Sequence, residues 1–294
     1  MTRQAEHRQA EHRPCSADDY HANRTHDSNS TLRVFDRSPA EYYHRFVTRR
    51  IPADPPSDAQ RLGTAIHAAI LEPEKVDSLL ALIPNEVLAS NGAKSGNKYR
   101  EWAAEHVGQV CVKLKENDLL RWQIETVWAN PACRDLLVSA SVREHSIFWT
   151  TEGHQVRCRF DMADEIGAVI GDIKRTRQTE ATFWRALRDY AYHRQAALYC
   201  DGFESLYGVK PEFHFLIICD DPPYECCVRT LPAAAIDVGR AENADTLVRL
   251  RECKAGHRQW ITEGTDELRE LTYPPFLFAP REDQPGGTNA RQEL

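Results

Sequence analysis

Asp161 and the triplet Asp172-Ile173-Lys174 hold the residue types that phosphodiester chemistry requires, one short hairpin apart in the chain. Hard divalent cations such as Mg²⁺ take oxygen ligands and keep several waters. Two aspartates, a backbone carbonyl (here that of Ile173) and the phosphate oxygens of a substrate therefore suffice for a site. Hydrolysis of a phosphodiester needs a nucleophile at neutral pH and relief of the charge that builds on phosphorus, and a cation with a neighbouring ammonium group supplies both. Lys174 lies two residues after Asp172, on the same side of a strand, beside the water such a cation would hold. Alone, the triplet could instead be an exposed ion pair worth about 0 to 1 kcal/mol. Against that, Ala168, Val169, Ile170 and Ile173 make the strand apolar enough to be central, where charge on the inner side seldom lacks a role.

The elements that position these residues follow from periodicity. From Glu144 the pattern alternates: Ser146 to Thr150 and Gln155 to Met162 read as strands joined at Glu152-Gly153, a hairpin turn. In the second strand Val156, Cys158, Phe160 and Met162 are expected on one face, with Gln155, Arg157, Arg159 and Asp161 on the other. Ala168 to Lys174 is a third strand. A helix over about 180–202 follows, placing Arg188, Tyr192, Gln195 and Tyr199 at i, i+4, i+7 and i+11, a polar and aromatic stripe suited to DNA. Strands over Phe213 to Cys219 and Cys226 to Thr230 come next, then helices over about 233–251 and 266–271. Upstream, a first helix is placed within Leu32 to Phe46, starting at Ser38-Pro39, and another over Arg61 to Glu72, which carries His67. Residues 84–100 read as a loop whose Lys94, Lys98 and Arg100 could meet a phosphate backbone or simply face solvent, and 101–138 as helical.

The totals bound the rest. With 294 residues and a formal charge of −7, the chain can bury one large catalytic core but cannot coat nucleic acid by charge alone, so any DNA path is a local basic groove. Its nine cysteines form no CxxC pair and no spacing suited to zinc or an iron–sulfur cluster, and read as reduced thiols. The charged opening lacks the apolar stretch of a secretory leader and no segment nears the ~18 apolar residues of a membrane span, so the expectation is a cytoplasmic protein with no membrane association. Residues 1–30, with a tandem Arg-Gln-Ala-Glu-His, are expected to be a disordered tail, 31–280 the working domain, and 281–294 a flexible tail.

These residues resemble the PD-(D/E)XK nuclease superfamily, and within it the RecE-type exonuclease VIII and phage-exonuclease branch. Beyond the D-x-K triplet, Gly63-Thr-Ala-Ile-His67-Ala-Ala-Ile-Leu-Glu-Pro73 looks like the family's histidine-bearing helix. Glu144-His-Ser-Ile-Phe-Trp149 looks like its strand-opening glutamate motif, Arg157-Cys-Arg-Phe-Asp161 like its first metal aspartate, and Gln195-Ala-Ala-Leu-Tyr199 like its Q-x-x-x-Y signature. Order and rough spacing agree from about Leu32 to Leu231. The resemblance implies an α/β (α+β) fold, a central mixed β-sheet flanked by helices. It also implies a Mg²⁺-dependent exonuclease, with Mn²⁺ as the alternative ion, working 5′ to 3′ on double-stranded DNA ends. Asp161, Asp172 and the Ile173 carbonyl would hold the metal, Lys174 would orient or activate water, His67 and Glu144 would assist metal or water, and Gln195 and Tyr199 would contact the phosphate or shape the site. A phage-type role beside a single-strand annealing recombinase, and a homo-oligomeric ring around the duplex, come with the same likeness. One departure is Arg175, where relatives usually carry Thr; it falls on the opposite strand face from Lys174. Read singly, His67 is a helix-edge histidine, Glu144 a residue before a strand, Gln195 a surface amide and Tyr199 a core tyrosine. A repair or restriction endonuclease on the same fold, or an inactive DNA-end-binding protein, remain the alternative functions.

Overall fold

A computed structural model describes residues 10–52, 58–177 and 182–262, together with Thr265 and Leu268. In chain order the elements are β1 (Glu11–His12), α1 (Ala17–Ala22), α2 (Asn29–Arg37), α3 (Pro39–Tyr42), α4 (Asp58–Leu71), α5 (Val76–Leu79), β2 (Leu80–Leu82), α6 (Asn97–Glu105), β3 (Val110–Val112), α7 (Leu114–Ala129) and α8 (Pro131–Ser139). They continue as β4 (Val142–Thr151), β5 (His154–Asp164), β6 (Val169–Thr176), α9 (Phe183–Asp189), α10 (Tyr192–Tyr207), β7 (Glu212–Cys219), β8 (Cys226–Thr230) and α11 (Ala233–Lys254). Six strands form one sheet in the order β1-β4-β5-β6-β7-β8. Its pairs are antiparallel except β6 beside β7, which run parallel and are joined by the crossover that contains α9 and α10. Strands β2 and β3 form a separate parallel pair. This is the mixed sheet flanked by helices expected from the sequence.

Local chemistry explains the frame. The β4–β5 hairpin turns at Glu152 and Gly153, whose φ values of 48° and 79° are both positive, as a primed two-residue turn requires. The sheet is buried on both faces. On one side Ile147, Cys158, Phe160 and Phe215 pack against Leu32 and Phe35 of α2, Ala196 and Phe203 of α10, and Leu247 and Leu250 of α11. On the other, Met162, Ile173, Leu216 and Ile218 meet Ile66 and Ile70 of α4, Leu120 and Val127 of α7, and Leu137 of α8. The buried Arg194 of α10 donates to Asn243 Oδ1 (3.0 Å) and Thr246 Oγ1 (2.9 Å) of α11 and to Asp36 of α2, so that its charge and its hydrogen bonds are satisfied together. No helix among the described residues is long and apolar enough to cross a membrane.

Several expectations need correction. The tail expected to be disordered over 1–30 is folded in its described part, from Ala10 on; residues 1–9 lie outside the described residues. There β1 pairs with β4, Tyr20 is buried under the Arg157 guanidinium (4.6 Å from the ring centre), and Asp27 is buried as a hub. Asp27 accepts from Tyr42 Oη at 2.7 Å, Thr31 Oγ1 at 3.1 Å and Lys254 Nζ at 2.9 Å, and its backbone exchanges bonds with Gln155 and Arg157. Periodicity cannot detect such a segment, because it is held by polar partners rather than by an apolar face. The helix start expected at Ser38-Pro39 is present, with Ser38 capping α3, but two helices not expected from the sequence precede it, α1 and the Ser28-capped α2. The stretch expected to be wholly helical over 101–138 is interrupted by β3. The helix expected over 180–202 is two helices, because Ala191 takes a left-handed φ of 50° between α9 and α10. The helix expected over 266–271, apart from Leu268, and the tail over 281–294 lie outside the described residues.

Helix α11 crosses α10 at a glycine: a Cβ on Gly239 would lie 2.4 Å from the His193 carbonyl oxygen and 2.9 Å from the Arg194 nitrogen. Those are backbone atoms and cannot turn aside. Gly239→Ala is therefore expected to cost about 1–3 kcal/mol, read as a lower denaturation midpoint; an unchanged midpoint would show that the two helices do not meet here.

Candidate functional site

The site opens where two paired strands stop pairing. Strand β5 runs beside β4 along its length but meets β6 only over Met162–Asp164 against Val169–Gly171, whereas β6 continues beside β7 to Thr176. At the parting, Asp161 Oδ2 accepts the backbone N–H of Ile173 at 2.6 Å, a donor that a continued ladder would give to a main-chain carbonyl. The face alternation changes phase at the same place. Val156, Cys158 and Phe160 share one core as expected, but Met162 belongs to the other. Glu144, which falls opposite Asp161 between the pairs Arg143–Met162 and His145–Phe160, has a positive φ of 50°. The distortion is thus shared by both strands.

Two groups of side chains meet at this gap. From α4, His67 Nε2 donates to Asp161 Oδ2 at 2.7 Å, and its Nδ1 lies 3.6 Å from Glu144 Oε1. From β6, Asp172 is 2% exposed; Gln195 Nε2 of α10 donates to its Oδ1 at 2.7 Å, and Lys174 Nζ stands 2.5 Å from its Oδ2. That last contact is charge against charge, since Oδ2 is buried without an aligned hydrogen bond. The Lys174 ammonium also rests over the Tyr192 ring, 4.6 Å from its centre. Tyr199, half-buried, packs on Phe160 and Phe213, with ring centres 5.6 and 6.1 Å away. The fold thus gathers Asp161, Asp172, Ile173, Lys174, His67, Glu144 and Gln195 into one site, with Tyr192 and Tyr199 at its wall.

Arg188 does not join them. The break at Ala191 takes it off the stripe shared by Tyr192, Gln195 and Tyr199, and it pairs with Asp189 at the surface (2.7 Å). Lys94, considered for a phosphate contact, is held by Glu116 at 3.0 Å and the Cys111 carbonyl at 2.9 Å. Arg175 lies away from Lys174 and pairs with Asp220 at 2.7 Å. Sequence reasoning missed Arg159. Its Nε holds Glu144 Oε2 at 2.6 Å, while its Nη1 reaches Ser146 Oγ at 2.8 Å and the Cys15 carbonyl at 3.1 Å. The signal was present, because Arg159 is two positions from Asp161 and so on the same polar strand face.

Burial and crowding set the charges. Burial pushes the Asp172 carboxyl up to about 6, with Asp161 adding to the rise and Lys174 opposing it. At Asp161 burial acts upward too, but the His67 charge and hydrogen bond, Lys174 and the Ile173 N–H outweigh it and hold the carboxyl below its usual range. Burial alone would lower His67; Asp161 and Glu144 instead raise it to about 10. Burial likewise opposes the charge on Lys174, yet Asp172 and Asp161 raise it above the usual lysine value. Burial and then the Asp172 charge push the Tyr199 hydroxyl up. Two cations thus neutralise a buried acidic cluster that would otherwise be prohibitively costly.

The donor set fits a hard divalent cation. Ligand atoms of His67, Glu144 and Asp161 lie within 4.8 Å of one another, and Asp172 beside them offers a buried carboxylate oxygen without an aligned donor. Because ligands bind metal deprotonated, uptake displaces protons. With His67 raised to about 10, Mn²⁺ binding at pH 8 is expected to release about one proton. Toward pH 5, below the Asp172 value of about 6, release approaches about two. Calorimetry in buffers of different ionisation enthalpy measures both; no release at pH 8 would mean that His67 keeps its proton and is not a ligand.

Comparison with known proteins agrees with this geometry. A crystal structure from Eubacterium rectale described as a "putative exonuclease" superposes with a TM-score of 0.60 at 14% identity, covering 91% of this chain and 99% of the other. That likeness is one of fold. No curated protein matches the chain. The family described as a PDDEXK-like domain of unknown function, DUF3799, matches residues 28–270, a span that holds every residue of the site. The chain therefore belongs to the DUF3799 family of PDDEXK-like domains.

Proposed function

We propose that this chain is a metal-dependent deoxyribonuclease that hydrolyses phosphodiester bonds at the ends of double-stranded DNA. Resection runs 5′ to 3′, leaving a 3′ single strand for an annealing recombinase of phage type. The observation that carries the reading is the convergence of Asp161 and Asp172 from two parted strands, with the Lys174 ammonium 2.5 Å from Asp172. Membership of a PDDEXK-like family, whose nucleases are generally divalent-metal dependent, supports hydrolytic chemistry; the exonuclease description of the structural neighbour supports action at ends.

Asp161, Asp172, His67, Glu144 and the Ile173 carbonyl are the groups that would hold Mg²⁺ or Mn²⁺. When bound, the cation supplies Lewis acidity toward a phosphate oxygen and offsets the local acidic charge. The chain's own residues do the rest. Lys174, with its pKa raised, keeps its proton at neutral pH, so it acts as a positive donor that orients water and stabilises charge on the phosphorus centre, rather than as a base. Gln195 fixes Asp172 by Oδ1, while Oδ2 stands against the Lys174 ammonium. Arg159 holds Glu144 by one oxygen while its second lies near His67. Gln195 and Arg159 thus each orient an acid through a single carboxylate oxygen, which is the preorganisation such a site requires.

With Mg²⁺, the purified chain is expected to release nucleotides from an end-labelled linear duplex and to leave covalently closed circles intact. Cleavage of closed circles would turn the reading to an endonuclease, and no cleavage with Mg²⁺ or Mn²⁺ would remove it. Lys174→Ala and Asp172→Ala should each lower the rate by about 10²–10³-fold or more, with circular dichroism unchanged; near-normal turnover in either variant would misplace the site.

A further inference from the structure

Next to Lys174 a row of aromatic rings leads out to solvent. Tyr192, which carries the Lys174 ammonium over its face, stacks on Tyr190 with ring centres 5.5 Å apart and planes 24° from parallel. Tyr190 is 51% exposed, and the Arg33 guanidinium lies 5.9 Å from its ring centre. At the start of α9, Trp184 is 55% exposed, with the guanidinium groups of Arg185 and Arg188 at 5.5 and 5.6 Å. Folding does not call for this display, because α9 is anchored by its other face through the buried Phe183 and Ala186, with Phe183 against Phe215. Scattered exposed aromatics are ordinary. Trp184 and Tyr190 are each attended by a guanidinium on a chain of net charge −7, and Tyr190 stacks on the ring that carries Lys174, so this surface offers a local basic and aromatic track. Its charge is moderated by Asp189, which pairs with Arg188 at 2.7 Å.

We infer that this track binds single-stranded DNA beside the reacting phosphate, with bases stacked on Trp184 and Tyr190 and phosphates met by Arg33, Arg185 and Arg188. The chemistry selects the strand form. A base offers its π-face to an exposed ring only when it has left the duplex stack, and guanidinium groups complement the backbone of either form. An unpaired strand would therefore be held as it leads to Lys174, and a frayed or overhanging end would be taken in preference to a blunt one. The role of this strand in turnover rests on the nuclease reading above, but its binding does not.

The test uses the full chain in EDTA, where no cleavage occurs, with fluorescence anisotropy of labelled oligo-dT and of a labelled blunt duplex. Trp184→Ala and Tyr190→Ala are each expected to weaken oligo-dT binding by about 5- to 150-fold, while Trp184→Phe retains most of it and duplex binding changes by less than about threefold. Unchanged oligo-dT affinity in both alanine variants, or an equal loss on duplex and single strand, would overturn the proposal. A chain that binds oligo-dT through Trp184 yet cleaves nothing with Mg²⁺ or Mn²⁺ would retire the nuclease reading and leave this one standing.

Discussion

A carboxylate stands where a sheet would place a carbonyl. Asp161 Oδ2 takes the Ile173 N–H at 2.6 Å, and from that bond the ladder between β5 and β6 is over. Each strand stays paired on its far side, β5 with β4 and β6 with β7, so the gap is held open by a rigid frame rather than by loops. A site built on strands keeps its geometry better than one built on loops. Into this gap come His67 from α4 on one sheet face and Gln195 and Tyr192 from the α10 side on the other. Were Asp161 replaced by a residue that could not reach Ile173, pairing could continue and the acids would lose their shared space.

The gap is electrostatically costly, and that cost is what makes it useful. Buried acids repel one another and resist ionisation, which is why Asp172 sits near 6 while Asp161, better supplied with donors, sits below its ordinary value. Carboxylates pushed apart in this way are a common mark of working sites. In the metal-free site the protonated forms of His67 and Lys174 carry the positive charge, and a metal ion would replace that of His67. The linkage follows: the His67 contribution to stability is complete below its ordinary value of about 6.5 and fades as pH rises toward about 10. The Asp172 carboxyl favours the fold most below its ordinary value of 3.8 and loses that contribution as pH rises through about 6. At neutral pH the metal-free site is therefore left with an ionised, buried Asp172.

Much of this was legible in the sequence because it rests on period two and on residue type. The D-x-K strand, the hairpin at Glu152-Gly153, the helix carrying His67 and the β7 and β8 strands all announce themselves by alternation, turn chemistry or an apolar face. Other features lack a local signature. Ala191 has nothing in its type to mark a left-handed break, so the spacing alone places Arg188 on a stripe that the chain does not continue. The phase change at Glu144 and Asp161 comes from a side chain replacing a ladder partner, which no periodicity encodes. The segment from Ala10 to Ser30 is held by Asp27, Arg157 and backbone pairing, partners 130 or so residues away for the most part, and its composition alone resembles a tail.

The most direct test of the central claim is a crystal of the chain grown with Mn²⁺ and measured for anomalous scattering. The account predicts a peak in the gap with carboxylate oxygens of both Asp161 and Asp172 in its coordination sphere, at about 2.0–2.6 Å, and Lys174 drawn off Asp172 Oδ2. A Mn²⁺ held by His67, Glu144 and Asp161 while Asp172 stays paired to Lys174, or no ion in the gap, would contradict it.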